Sequence, residues 1–242
     1  MLPERSDDAE HVVIVAARNE ADRIVSTVEG LKAAFPGARL ILADDRSGDG
    51  TPRLAAGLGV EIAPGPSNDR SRGKGGAMTE AAMFALAGGT NLLTVVLCDG
   101  DLGKSAGALG HLAEAVDSGE CDLAIATFAR REGGGFGIAL GFARRAIRRL
   151  TGLELSAPIS GQRALRAELL SKVLPFAPGF GMEIGMTVDA VRAGARIKEI
   201  ELDLEHRSTG RTLSGFVHRA RQLLDFARVY CSRRSPRRVS RP

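Results

Sequence analysis

The 242-residue chain contains no Trp, one Tyr and only 4% aromatic residues. So few rings exclude a platform that stacks single-stranded bases, and no nucleic-acid partner is expected. Three cysteines (Cys98, Cys121, Cys231) are too few and too widely spaced for a disulfide framework or a zinc knuckle. Long hydrophobic runs are missing as well. Leu92 to Cys98 is among the longest, far short of the roughly 20 residues of a spanning helix. Met1 to Glu10 is acidic and polar, so no secretory signal is expected. No G-x-x-x-x-G-K-[ST] loop occurs, and no G-x-G-x-x-G follows the first apolar run, which speaks against P-loop and dinucleotide-dehydrogenase chemistry.

What remains is a chain with 44% hydrophobic and 26% charged residues, enough to bury a substantial core. Val12 to Ala16 is a continuous apolar run, β-branched at 12 to 15, of the kind buried on both faces of a parallel sheet. Ile24, Val28, Leu31 and Phe35 then recur at helical spacing, until Pro36-Gly37 stops them. Leu40 to Ala43, Val60 to Ala63, Leu92 to Cys98 and Leu123 to Thr127 read as further strands. Thr51 to Leu58, Gly73 to Gly89 and Ala106 to Val116 read as the helices between them. Such alternation predicts an α/β fold, a mostly parallel central sheet with helices on both faces. The second half is less regular. Helices are expected over Phe142 to Leu150, Glu168 to Val173, the later part of Gly179 to Arg192, and Leu213 to Tyr230, with a strand over Ile197 to Leu204. Ser160 to Arg166 reads as a polar connection. One domain over residues 1–230 is expected, with a half at about 10–128, a second at about 129–230, and a basic tail at 231–242.

Charge is distributed unevenly. From Arg219 to Pro242 there are eight Arg and one Asp, a net +7, so against the whole-chain +4 residues 1–218 carry −3. The helix around residues 144–149 adds Arg144, Arg145, Arg148 and Arg149. Cationic segments of this kind suit an anionic lipid surface. The expected location is therefore the cytoplasm, with peripheral contact at the inner face of the cell membrane.

Open parallel sheets bind ligands beyond the carboxyl ends of their strands. Three of those ends carry polar clusters: Ala17-Arg18-Asn19-Glu20, Asp44-Asp45 and Asp99-Gly100-Asp101. Two carboxylates flanking a small residue can share Mg²⁺ or Mn²⁺, which typically keeps waters and substrate phosphates as its other ligands. Adjacent acids can accept from a base or from ribose hydroxyls. Gly73-Lys74-Gly75 opens a helix with one cation and spare backbone N–H groups, a setting for phosphate.

These segments together resemble the family 2 glycosyltransferases, inverting enzymes of GT-A type, Rossmann-like fold. Val13 to Glu20 resembles their first strand and its P-A-Y-N-E turn, with Ala16 for Pro and Arg18 for Tyr. Ile41 to Thr51 resembles V-V-D-D-G-S-x-D-G-T, Gly73-Lys74-Gly75 the G-K-G turn, and Asp99-Gly100-Asp101-Leu102 the D-A-D-L segment. Ser160 to Ala164 and Gly179 to Glu183 resemble the polyprenyl-phosphate sugar transferase branch. The resemblance implies a nucleotide-sugar donor, UDP- or GDP-linked. Ala17, Arg18, Glu20, Asp44, Asp45, Lys74, Asp99 and Gly100 would bind it, and Asp99 and Asp101 would hold the metal. Glu183, Asp101 and Arg163 are the expected catalytic residues. Arg130, Arg131, Gln162, His206, Arg207 and Arg211 are expected to face a lipid-linked or phosphorylated acceptor. Two alternatives stand beside this one. A sugar-phosphate nucleotidyltransferase should show G-x-G-T-R after its first strand, which this chain lacks. A non-catalytic sugar-nucleotide-binding module would not need the Asp99/Asp101 pair.

Overall fold

The computed structural model describes residues 10–65, 73–88, 92–128, 137–205 and 213–234. Its first strand, β1 (Glu10–Ala17), is followed by α1 (Ile24–Ala34), β2 (Arg39–Asp44), α2 (Thr51–Gly57) and β3 (Glu61–Ile62). Next come α3 (Gly73–Ala87), β4 (Leu92–Asp99), a 3-10 turn (Gly103–Leu109), α4 (Gly110–Asp117) and β5 (Leu123–Phe128). The second half contains α5 (Gly137–Thr151), β6 (Arg163–Arg166), α6 (Ala167–Val173), a 3-10 turn (Gly179–Gly181), α7 (Met182–Arg192), β7 (Ile197–Leu202) and α8 (Leu213–Arg234).

The seven strands form one sheet in the order β3-β2-β1-β4-β6-β5-β7. All neighbours are parallel except those of β6, which runs antiparallel between β4 and β5. Alternate residues of the central strands serve opposite faces. Val12 and Ile14 pack with α3, α5, α7 and α8, while Val13 and Val15 pack with α1 and α4. That two-sided burial is why β1 reads as an unbroken apolar run. The expected α/β layering is thus observed.

Two expectations are corrected. Ser160 to Arg166 is not wholly a connection, because its last four residues form β6. An Arg-Ala-Leu-Arg strand shows no apolar signature, since the Arg163 side chain finds its partners inside the protein. The closing helix also runs to Arg234 rather than stopping at Tyr230, so four residues of the expected tail are helical.

Candidate active site

The parallel strands deliver the ends of β1, β2 and β4 to one edge of the sheet, where side chains lock the three loops together. Asn19 and Arg46 adopt positive φ, 58° and 65°. The Asn19 N–H donates to Ser47 Oγ at 2.9 Å, and the Gly48 N–H returns a bond to Asn19 Oδ1 at 2.8 Å. Asp49 accepts from the Ala21 N–H at 3.0 Å and from the Thr51 N–H at 3.1 Å, tying the start of α2 to the turn before α1. The Glu20 N–H donates to Thr51 Oγ1 at 2.9 Å. Asp44 accepts from the Ser47 N–H at 3.1 Å, and Asp45 from Arg18 Nη1 at 3.3 Å. The side chain of Arg18 is 60% exposed, so its guanidinium lies at the rim. Ala17, Arg18, Glu20, Asp44 and Asp45 therefore share one braced ledge.

Beside it, the Asp99-Gly100-Asp101 turn is fixed from behind. The Gly100 N–H bonds to the Ala16 carbonyl at 2.8 Å, and a Cβ on Gly100 would press on that oxygen at 3.2 Å. Thr27, fully buried on α1, donates to the Gly100 carbonyl and accepts from the Gly103 N–H, both at 2.9 Å. Arg23 donates to the Asp101 carbonyl at 3.3 Å. Thr27 was not anticipated from the sequence. Its signal was a lone hydroxyl within the apolar stripe Ile24, Val28, Leu31.

The centre of the site is Lys74, at the start of α3. Its Nζ lies 2.6 Å from Asp99 Oδ1 and 3.0 Å from Glu183 Oε1. Burial alone would push the ammonium down. The two carboxylates outweigh it and hold Lys74 well above its ordinary range, so it stays charged throughout the physiological interval. Asp99 brings the β4 tip and Glu183 brings the first turn of α7. One cation thus joins the two halves of the chain.

The segment before β6 completes this cluster. Gln162, 2% exposed, donates to Asp99 Oδ2 at 2.8 Å. Both oxygens of Asp99 accordingly accept a protein donor. Gln162, expected from the sequence to face the acceptor, here holds Asp99 in place. Arg163, expected among the catalytic residues, lies deeper. It has no exposed surface, and it donates to the carbonyls of Ser160 (2.8 Å) and Pro158 (3.1 Å) and to Thr187 Oγ1 (3.0 Å). Burial pushes its guanidinium down to about 10, against the pull of Glu183 and Glu199. It braces the Ser160 turn against α7 from inside the core. A Cβ on Gly161 would lie 2.4 Å from Lys74 Nζ and 2.7 Å from Asp99 Oδ2. Gly161→Ala should therefore part the Lys74–Asp99 pair and lower turnover by at least about 100-fold. Near-normal turnover in a folded Gly161→Ala protein would show that the pair is dispensable.

On the far side, Gly73 and Gly179 meet, both at positive φ (65° and 60°), and a Cβ on Gly73 would lie 3.1 Å from Gly179 Cα. Gly75 is tighter still, since a Cβ would fall 1.9 Å from the Ala177 carbonyl oxygen. The Phe180 N–H donates to Asp225 Oδ2 on α8 at 3.2 Å, and Arg228 holds the other oxygen at 3.1 Å. Asp225, the sole acid between Arg219 and Pro242, thereby pins the turn that launches α7 and Glu183. Its isolation among arginines was the sequence signal for that role. Arg130, Arg131, His206, Arg207 and Arg211 lie outside the described residues.

Asp99 and Asp101 offer hard oxygens at one strand tip. Among the described residues no group of three or more His, Cys, Asp or Glu is placed to hold a metal ion. A two-carboxylate set fits a divalent cation that takes its remaining ligands from water and substrate phosphates.

Residues 12–174 match the sequence profile of Glycosyl transferase family 2. The chain is 29% identical over 223 residues to the undecaprenyl-phosphate mannosyltransferase of Micrococcus luteus, covering 85% of this chain and 88% of that protein. Among solved structures it resembles glucosyl-3-phosphoglycerate synthase from Mycobacterium tuberculosis. The complex of that protein with phosphoglyceric acid gives a TM-score of 0.75 at 26% identity, covering 93% of this chain and 80% of the other. Its complex with Mn²⁺, UDP and glucosyl-3-phosphoglycerate gives 0.73 at 26% identity with the same coverage. The complex with Mg²⁺ and UDP gives 0.73 at 26% identity, covering 93% and 79%.

Proposed function

Because the chain belongs to glycosyl transferase family 2, we propose that it moves a hexose, with inversion, from a UDP- or GDP-linked donor to a phosphate-bearing acceptor, a polyprenyl phosphate. The observation that carries this reading is Lys74, held between Asp99 and Glu183. An ammonium that stays charged across the physiological range, at the meeting point of donor-side and acceptor-side elements, is suited to anionic substrates on both sides. The Micrococcus luteus relative is named for a lipid phosphate and the mycobacterial structures contain phosphoglyceric acid, so phosphate is common to both acceptors.

In this reading the ledge of Arg18, Glu20, Asp44 and Asp45 takes base and ribose. Lys74 steadies the diphosphate, and Asp101 with Asp99 would hold Mg²⁺ or Mn²⁺. When bound, that ion neutralises charge gathering on the nucleoside diphosphate as it leaves. The acceptor oxygen approaches the anomeric carbon from the opposite face, on the Glu183 side. No helix among the described residues is long and apolar enough to cross a membrane, so a lipid acceptor would be met at the membrane surface.

The chemistry of the acceptor decides what Glu183 must do. A phosphate oxygen is already ionised and needs no base, whereas a hydroxyl acceptor needs one. Glu183→Gln keeps an oxygen for Lys74 but removes the basic carboxylate. With a polyprenyl phosphate acceptor, release of nucleoside diphosphate should fall by no more than about tenfold. A loss of about 100-fold or more would assign Glu183 as general base and favour a hydroxyl acceptor such as that of a phosphorylated hydroxy acid. A panel of UDP- and GDP-hexoses with Mn²⁺, assayed with each acceptor class, tests the whole reading. It fails if no donor is consumed with either class.

A further inference from the structure

Away from the active site, α5, α7 and α8 border an open recess of about 460 Å³ lined by Arg149, Leu150, Arg192, Tyr230 and Arg234. Each of the three helices contributes one arginine, and no carboxylate lines it. A neighbouring recess provides the contrast. There Arg144, Arg145 and Arg148 are accompanied by Glu154 and Glu199, and Arg148 lies 3.5 Å from Glu154. In the first recess neither Arg149 nor Arg234 forms an ion pair with a described residue. Three like charges brought together without a counter-charge repel one another, a repulsion that an anion between them would relieve.

The recess is also built rather than incidental. Arg233, at the end of α8, is only 11% exposed and pairs with Asp189 of α7 at 2.5 Å. Arg192 donates to the Arg233 carbonyl, and Tyr230 packs edge-on against Phe142 of α5 at 6.3 Å. Gly185 leaves the room this requires, since a Cβ there would lie 2.9 Å from Arg233 Nη2. The last turn of α8 is thereby fixed, and Arg234 is presented at the recess.

We infer that this face docks on an anionic membrane, with the three-arginine recess receiving a phospholipid phosphate. One soluble phosphate would account for the recess but not for its surroundings. Arg145 is exposed on α5 beside it, and Ile138, 79% exposed, shares a helical face with Arg145 and Arg149 at spacings of seven and eleven residues. The sequence past Arg234 adds Arg237, Arg238 and Arg241. Many cations beside an exposed aliphatic side chain match an interfacial surface. The biological sense of this face rests on the lipid-phosphate acceptor proposed above. Membrane binding can nevertheless be measured without donor or acceptor, so failure of either leaves the other standing.

The test is cosedimentation of the full chain with vesicles of phosphatidylcholine alone or with about 30% phosphatidylglycerol. The wild type should bind only the anionic vesicles and release in about 0.5 M salt. Arg149→Glu/Arg234→Glu should weaken binding at least about tenfold. Lys172→Glu, the same charge reversal at a single exposed site on α6 and half the total change, should bind like wild type. Circular dichroism confirms folding of both variants. Unaltered binding by the double variant overturns the inference. So does a wild type that ignores anionic vesicles while inorganic phosphate stabilises it through the same arginines, since that marks a site for a soluble anion.

Discussion

Lys74→Met is expected to lower kcat/KM by about 1000-fold, the scale on which a preorganised donor to developing negative charge acts. It should also destabilise the folded protein. Glu183, with 7% of its side chain exposed, and Asp99, with 31%, would lose the cation that neutralises both. Breaking a buried pair from one side costs about 3–5 kcal/mol. Because Asp99 is partly solvated, about 2 kcal/mol is the better figure here. Chemical denaturation of the two proteins measures it directly.

The pH dependence of that stability difference identifies its source. Lys74 is held above its ordinary value of 10.5 in the folded state. The folded protein therefore binds this proton more tightly than the unfolded chain does. The contribution is fully present below pH 10.5, and it is lost as pH rises from there towards the folded value. The gap between wild type and Lys74→Met should then be flat from about pH 6 to pH 9 and narrow only in strong alkali. Arg163, common to both proteins, cancels in the comparison. A gap already closing below pH 9 would mean that Lys74 is not held by this carboxylate pair.

The donor side of this site was legible in sequence because its chemistry is local. Each motif there is a strand end plus the turn that follows it, and a parallel sheet brings such ends to one edge whatever the intervening helices contain. Asp44-Asp45 and Asp99-Gly100-Asp101 could thus be placed before any coordinates. The acceptor side depends on long-range packing. That Glu183 would meet Lys74 follows from α7 starting where α3 starts, and that contact depends on Gly73, Gly75 and Gly179 letting two backbones touch. Gln162 and Arg163 read as part of a polar connection facing substrate. They are buried because Asp99, Ser160, Pro158 and Thr187 satisfy them, and such satisfaction leaves no periodic trace. β6 was missed for the same reason. Arg233 falls within the expected basic tail, yet it is paired with Asp189 inside the α7–α8 contact.

Asp101→Asn tests the remaining element, the cation. Asp99 already accepts from Lys74 and Gln162, so its two oxygens are shared before any metal arrives. Asp101 is expected to be a metal determinant, and Asp99 to act first as the counter-charge of Lys74. In wild type, UDP or GDP with Mn²⁺ should raise the melting temperature well above the nucleotide alone. At a ligand concentration 100 times Kd, the linkage is worth about 2.7 kcal/mol. In Asp101→Asn the Mn²⁺-dependent part of the shift should vanish, with turnover down by about 1000-fold or more. Asp99→Asn should lower the unliganded melting temperature, because Lys74 and Gln162 lose their shared carboxylate. If Asp101→Asn retains the metal-dependent shift while Asp99→Asn loses it, the two carboxylates have been assigned the wrong way round, and Lys74 must yield Asp99 to the incoming ion.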